Sequence, residues 1–231
     1  MSWMEKARST VGAAVAPSKP GPASSTQSAS SSLRVYNALK EFLWLTSDVP
    51  RPRLLDLGPA WQSTINFFIE KGYRVTTDDL LRTWKDYKVG EEERLRSTMN
   101  AENADRISLA ELADAFLTTA LQYPEQSFHG VLAWDLFDYF DTEMMPRVIG
   151  RLFQLLQPGG SVLTLFHSRP AERFQRYRVI DGQNIEVVAA PTLCVHARVL
   201  QNREIMDMFS EFRSSKTFVG RDQVREGLFL K

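Results

Sequence analysis

Residues Arg53 to Phe68 read RLLDLGPAWQSTINFF, an apolar strand pattern running into Gly58 and then a loop. A glycine at this point lets backbone approach a ligand, and three small residues spaced G-x-G-x-x-G cradle a pyrophosphate. Here Gly58, Ala60 and Ser63 occupy those spacings, and only the first is glycine. Ala60 carries a Cβ, and Pro59 lacks an N–H donor. The loop suits a nucleoside-like ligand without phosphates better than a dinucleotide. Asp79 follows Gly58 by 21 residues, at the end of the next strand pattern. A carboxylate there accepts hydrogen bonds from ribose hydroxyls. Asp78 competes for that role, and both also read as solvated loop carboxylates.

Other groups capable of chemistry are sparse. His167 follows the strand pattern Ser161–Phe166 and reads either as a base near the ligand end or as a capped loop residue. His129 falls before its strand, on the far side, and His196 sits among apolar residues as a structural histidine. Asp138 and Tyr139 in WDLFDYF read as pocket residues or as a helix start. Arg169–Arg178 carries four arginines and one acid, Glu172, which suits an acidic substrate or a solvated loop. The single cysteine, Cys194, makes no internal disulfide and no cysteine-based metal site, and reads as an inert buried thiol.

These residues need a scaffold. Strand patterns at Leu54–Leu57, Tyr73–Thr77, Phe128–Ala133 and Ser161–Phe166 alternate with helical ones. Ser63 caps the first intervening helix and Gly72 closes it. Ser108-Leu109-Ala110-Glu111 is a capping box opening a helix to about Leu121. Met145 to Leu156 is amphipathic, and Pro158-Gly159-Gly160 stops it. Tyr177–Ile180 and Ile185–Val188 flank DGQN as a hairpin. Arg203–Phe212 is a helix, followed by strands Lys216–Val219 and Gly227–Leu230. Leu80–Arg106, rich in charge, has no clear assignment. The alternation predicts a Rossmann-like α/β fold, a doubly wound, mostly parallel seven-stranded sheet with an antiparallel edge and helices on both faces.

Residues 11 to 32 contain no aromatic residue and one charge, Lys19, too little apolar surface to offset ordering. Residues 1–32 therefore read as a disordered tail and 33–231 as one domain, with a first amphipathic helix from Leu33. Hydrophobic content is 43%, and 28 basic residues balance 28 acidic ones. This balance gives no nucleic-acid signal. No apolar run approaches the roughly 20 residues of a membrane span. Lys6 and Arg8 before TVGAAVA only faintly echo an export signal, so the expected location is cytoplasmic.

In order, LLDLG, YRVTTDDL, YPEQSFHGVLAWDLFDYF and LFQLLQPGGSVLTLF resemble the motifs of class I S-adenosylmethionine-dependent methyltransferases. The resemblance spans about residues 50–168 and is similar in detail to uncharacterised bacterial methyltransferase-like proteins with LDLGP in the first motif. It implies S-adenosyl-L-methionine as cofactor and methyl transfer to a small-molecule acceptor. It places Asp56 and Gly58 beside the methionine part, Pro59 and Ala60 on the loop floor, Asp79 at the ribose and Leu80 at the adenine. Trp134 and Asp135 would face the methyl group and substrate. The usual third strand and its adenine-binding acid are not located, with Asp114 a substitute. Two other readings stand beside it: a catalytically inactive relative serving as a binding or scaffold protein, and an NAD-dependent oxidoreductase, which Pro59 and Ala60 disfavour.

Overall fold

A computed structural model of the chain describes residues 31–98, 108–220 and 223–231. The tail therefore lies outside the described residues, except at Ser31 and Ser32. Those two open strand β1 (Ser31–Val35), where a helix from Leu33 was expected. Helix α1 (Asn37–Leu45) follows it directly. β1 is a strand through pairing with a partner far away in sequence. It pairs antiparallel with β7 (Asn184–Ala189), and β7 pairs with β6 (Gln175–Val179), making a three-stranded sheet around the expected hairpin.

The main sheet contains β2 (Arg53–Asp56), β3 (Arg74–Thr77), β4 (Phe128–Trp134), β5 (Leu156–His167), β8 (Ser214–Val219) and β9 (Val224–Leu230). Its order is β3-β2-β4-β5-β9-β8. β3, β2, β4 and β5 run parallel, while β9 is antiparallel to both β5 and β8. The fold is Rossmann-like and doubly wound, as expected, but the described residues form six strands in this sheet rather than seven. Between β3 and β4 the described residues form α3 (Leu80–Thr98) and α4 (Leu109–Leu117). Glu91–Arg94 and Glu92–Arg96 ion pairs run along the exposed side of α3, the helical spacing behind its charge-rich composition.

Period-two alternation along the strands builds two cores. Leu55, Val131, Ala133, Val162 and Phe229 face one side, packing against α3, α4, α5 (Met144–Leu155) and α6 (Asn202–Met208). Leu54, Leu132, Trp134, Leu163 and Leu228 face the other, under α1, α2 (Gln62–Glu70) and the small sheet. Gly130 is required by this second core, since a Cβ there would come within 2.3 Å of Phe42 Cζ on α1.

Helix boundaries differ from the sequence reading where a cap was assigned by residue type alone. The Ser108–Glu111 capping box is present, although α4 ends at Leu117. Ser63 lies inside α2, whose N-cap position is Trp61. Pro158-Gly159-Gly160 falls within β5, immediately after α5, with Gly159 at φ +80. WDLFDYF continues as a short 3-10 turn, Leu136–Asp138. Among the described residues, no helix is long and apolar enough to cross a membrane.

Candidate functional site

The chain leaves β2 toward β3 on one side and returns to β4 on the other, so the switch point lies between β2 and β4. Open α/β sheets bind ligands outside the carboxyl ends of the strands at that point. Leu57, Gly58, Pro59 and Asp79 form one wall of this crevice, with Trp134 and Asp135 opposite. Phe174, Gln175 and Tyr177, at the start of β6, close it from above. Six of the eight expected cofactor residues are thus at or under the crevice: Asp56, Gly58, Pro59, Asp79, Trp134 and Asp135. Ala60 is not among its lining residues. Leu80 is fully buried in the core instead, and its neighbour Leu81 lines the crevice. The shift follows from α3 beginning at Leu80, which turns that side chain inward toward Leu55 and Trp84.

Asp56 does not face the crevice openly. Its Oδ1 accepts from Trp134 Nε1 at 2.7 Å and from Gly58 N at 3.1 Å. Burial raises its pKa from 3.8 to about 6 despite those two donors. A raised carboxyl pKa means that folding penalises the ionised form. The destabilisation is complete above about pH 6 and is relieved as pH falls toward 3.8. At full ionisation it corresponds to about 3 kcal/mol, from 1.36 kcal/mol per pKa unit. Asp56→Asn should therefore flatten the parent's stability gain between pH 7 and pH 4. Urea unfolding of both proteins across that range measures the difference, and parallel curves would refute a buried, penalised carboxylate.

Trp134 lies in the left-handed region at φ +49, a strained conformation for a side chain of this size. A register irregularity between Leu132 and Trp134 accompanies it. The turn lays the indole over Gly58, where a Cβ would come within 2.6 Å of Trp134 Cδ1. The first-motif glycine thus makes room for a tryptophan of the protein itself. The indole stacks on Tyr177 at 5.5 Å and 5° between planes, and Tyr177 donates to Asp135 Oδ2 at 3.0 Å. The space left in the crevice is about 30 Å³. Ligand pockets run to roughly 300–1,000 Å³, and one water needs about 10–15 Å³. With the indole over Gly58, the crevice is closed to a ligand the size of S-adenosylmethionine.

Asp79 and Asp78 separate by the alternation of an extended chain. Asp79 lines the crevice, and its Oδ1 accepts from Arg82 N at 3.3 Å, so it also caps α3. Arg82 Nε lies 3.4 Å from its Oδ2, a partly exposed pair of small energetic weight. Asp78 is engaged elsewhere: Tyr123 donates to its carboxylate, and burial raises its pKa. Asp114 is exposed and ion-paired with Arg147 on α5 at 2.6 Å, away from the crevice. His129 accepts from Arg53 N at the amino end of β4, the far side from the site. Cys194 is half-buried, and burial pushes its thiol pKa up, in keeping with an unreactive thiol.

Beside the crevice lies a polar cluster that sequence reading did not assemble. Asp138, fully buried, accepts from His167 N at 2.7 Å and from His167 Nδ1 at 2.8 Å. Those hydrogen bonds, with His196 nearby, hold its pKa low against burial. Asp135 Oδ2 is 3.9 Å from His167 Nδ1, and burial lifts the Asp135 pKa to about 6. His167 and Gln175 also line a second, open cavity of about 520 Å³ with Arg34, Arg169 and Arg173. Gln175 is common to both spaces.

No family model matches the chain, and no curated protein matches it. Solved structures of similar outline include the PH0226 protein of Pyrococcus horikoshii, 16% identical over 82% of this chain and 88% of that one, with TM-score 0.43. Another is the Burkholderia thailandensis 1,6-didemethyltoxoflavin-N1-methyltransferase with bound 1,6-didemethyltoxoflavin and S-adenosylhomocysteine. It is 14% identical over 84% of this chain and 78% of that one, with TM-score 0.42. A third is an S-adenosylmethionine-dependent methyltransferase from Mesorhizobium loti, 15% identical over 83% and 98%, with TM-score 0.43. At these scores the likenesses carry no argument. The class of protein is defined by the strand order and the switch-point crevice: a doubly wound α/β protein with an antiparallel strand inserted before its edge.

Proposed function

We propose that the protein is an S-adenosylmethionine-dependent methyltransferase for a small anionic acceptor, with a cofactor crevice gated by Trp134. The observation that carries this reading is Gly58 and Asp79 side by side on one wall of a switch-point crevice whose loop continues with proline. Such a wall offers a carboxylate to a diol and no cradle of N–H groups to a pyrophosphate. This also counts against the nicotinamide reading. S-adenosylmethionine supplies an electrophilic methyl group and carries no phosphate. The Asp79 carboxylate has about four acceptor positions, enough to cap α3 and hold two hydroxyls together.

The acceptor belongs in the 520 Å³ cavity, where Arg34, Arg169 and Arg173 favour an anion beside Glu172. Gln175 lines both spaces. In-line transfer needs alignment and exclusion of water more than a dedicated base. Opening the crevice requires the indole to leave Gly58 and Tyr177. The αL strain of Trp134 lowers the cost of that movement.

One observation favours a second reading. The crevice is filled by the protein's own side chains, as in a relative that has kept the fold and lost catalysis. Calorimetry with S-adenosylmethionine and S-adenosylhomocysteine separates the two. Binding by the parent, weakened by about 1–3 kcal/mol in Asp79→Ala through lost charged hydrogen bonds, supports the enzyme. No binding at millimolar ligand, in either the parent or a Trp134→Ala variant, supports the inactive relative. Loss of binding in Asp78→Ala, with Asp79→Ala unchanged, would instead place the diol on the other carboxylate.

A further inference from the structure

We propose that Asp138, His167 and His196 form a binding site for one divalent first-row transition-metal ion. Three separate segments bring them together. Asp138 ends the 3-10 turn after β4, His167 is the last residue of β5, and His196 lies on the segment between β7 and α6. Ala197 N donates to Asp138 O at 2.8 Å, which pins that segment against the turn. One ligand atom from each residue can be chosen so that all lie within 4.8 Å of one another.

The geometry is that of ligands around a common centre. Asp138 Oδ2 is 2.8 Å from His167 Nδ1 and 3.4 Å from His196 Nε2. Ligand atoms held about 2.1 Å from one ion are themselves roughly 3–3.5 Å apart. The imidazole rings stand 5.6 Å apart at 74°, edge to face rather than stacked.

An independent observation points to an absent occupant. Asp138 Oδ1, His196 Nδ1 and His196 Nε2 are buried without a hydrogen-bond partner. The His196 side chain is only 8% exposed and Asp138 is fully enclosed. Three orphaned polar atoms in one spot are costly, and buried polar atoms are otherwise nearly always satisfied. A cation placed there would satisfy the carboxylate and a ring nitrogen together.

The surroundings suit a metal. Two imidazoles and a carboxylate select zinc, manganese, iron, cobalt or nickel over magnesium and calcium, which prefer all-oxygen shells. Gln175 Oε1, 3.4 Å from His167 Nε2, can accept that N–H and turn Nδ1 toward the ion. Asp135 Oδ2 lies beside the cluster, 3.9 Å from His167 Nδ1, outside the set of three ligands. Binding would displace the proton now shared between His167 Nδ1 and Asp138, so loading releases acid. The site does not depend on the methyl donor and can fail or succeed without it.

The test uses the full chain without an affinity tag, stripped with chelator, then titrated with Zn²⁺ and, separately, Co²⁺. The expected result is one ion per chain by elemental analysis, a higher melting temperature and a cobalt absorption spectrum from nitrogen and oxygen ligands. His196→Ala should lower Zn²⁺ affinity at least 100-fold and lose the rise in melting temperature on adding Zn²⁺, each protein being compared with its own metal-free form because His196 Nε2 also lies 3.4 Å from Asp138 Oδ2. His129→Ala, which changes the remaining one of three histidines, should bind as the parent does. Should the parent retain no ion, or His196→Ala bind as tightly as the parent, the site is refuted and a buried water fills the gap.

Discussion

Trp134→Ala should destabilise the protein by about 3–5 kcal/mol and, at the same time, tighten its affinity for S-adenosylmethionine. The two effects have one cause. The indole is only 5% exposed, stacks on Tyr177 and donates to Asp56, so its removal leaves a large cavity and an ionised carboxylate with one donor fewer. That same cavity is the space a ligand needs between Gly58 and Tyr177. Trp134→Gly should recover about 1 kcal/mol relative to alanine, because glycine adopts φ +49 without strain. Urea unfolding gives the stabilities and calorimetry the affinities. A loss below 1 kcal/mol, or unchanged affinity in a folded variant, would show that the indole is not the plug.

Gly58→Ala should cost about 2–5 kcal/mol, a large effect for one methyl group. The new Cβ would meet Trp134 Cδ1 at 2.6 Å and Nε1 at 2.7 Å, so the indole must move. Overpacking accounts for about 1–3 kcal/mol of this. Weakening of the Trp134–Asp56 hydrogen bond accounts for a similar further amount. The partner is identified by a double-mutant cycle. In a Trp134→Ala background the same substitution should cost under about 0.5 kcal/mol, since nothing then opposes the methyl group. Equal costs in both backgrounds would mean that Gly58 is demanded by something other than the indole.

Both predictions concern the place where sequence reading stopped short. The string LLDLG correctly marked a strand running into a glycine at the switch point. It could not show what the glycine accommodates, because Trp134 lies 76 residues away. The residue that fills the crevice was expected to face a ligand there, and only its φ and its stacking on Tyr177 reveal the plug. Leu80 was misplaced by one position, since the start of α3 could not be read from a charge-rich stretch.

Local signals were the reliable ones. The Ser108–Glu111 box closes within one turn, and VLTLF is apolar on both sides because both faces of β5 are covered. β1 was invisible for the opposite reason: SSLRV has little to bury by itself and is a strand only against Asn184–Val188. His196 looked structural because its neighbours in sequence are apolar. Its neighbours in space are Asp138 and His167.

The sequence by itself determined the layered α/β architecture, a mostly parallel sheet and the carboxylates at the ends of two of its strands. Those properties follow from periodicity and capping, which act over a few residues. Tertiary structure alone decided that the crevice is closed and that two histidines meet an aspartate. Such contacts join segments far apart in the chain, and their geometry is fixed only when the sheet sets every strand in register.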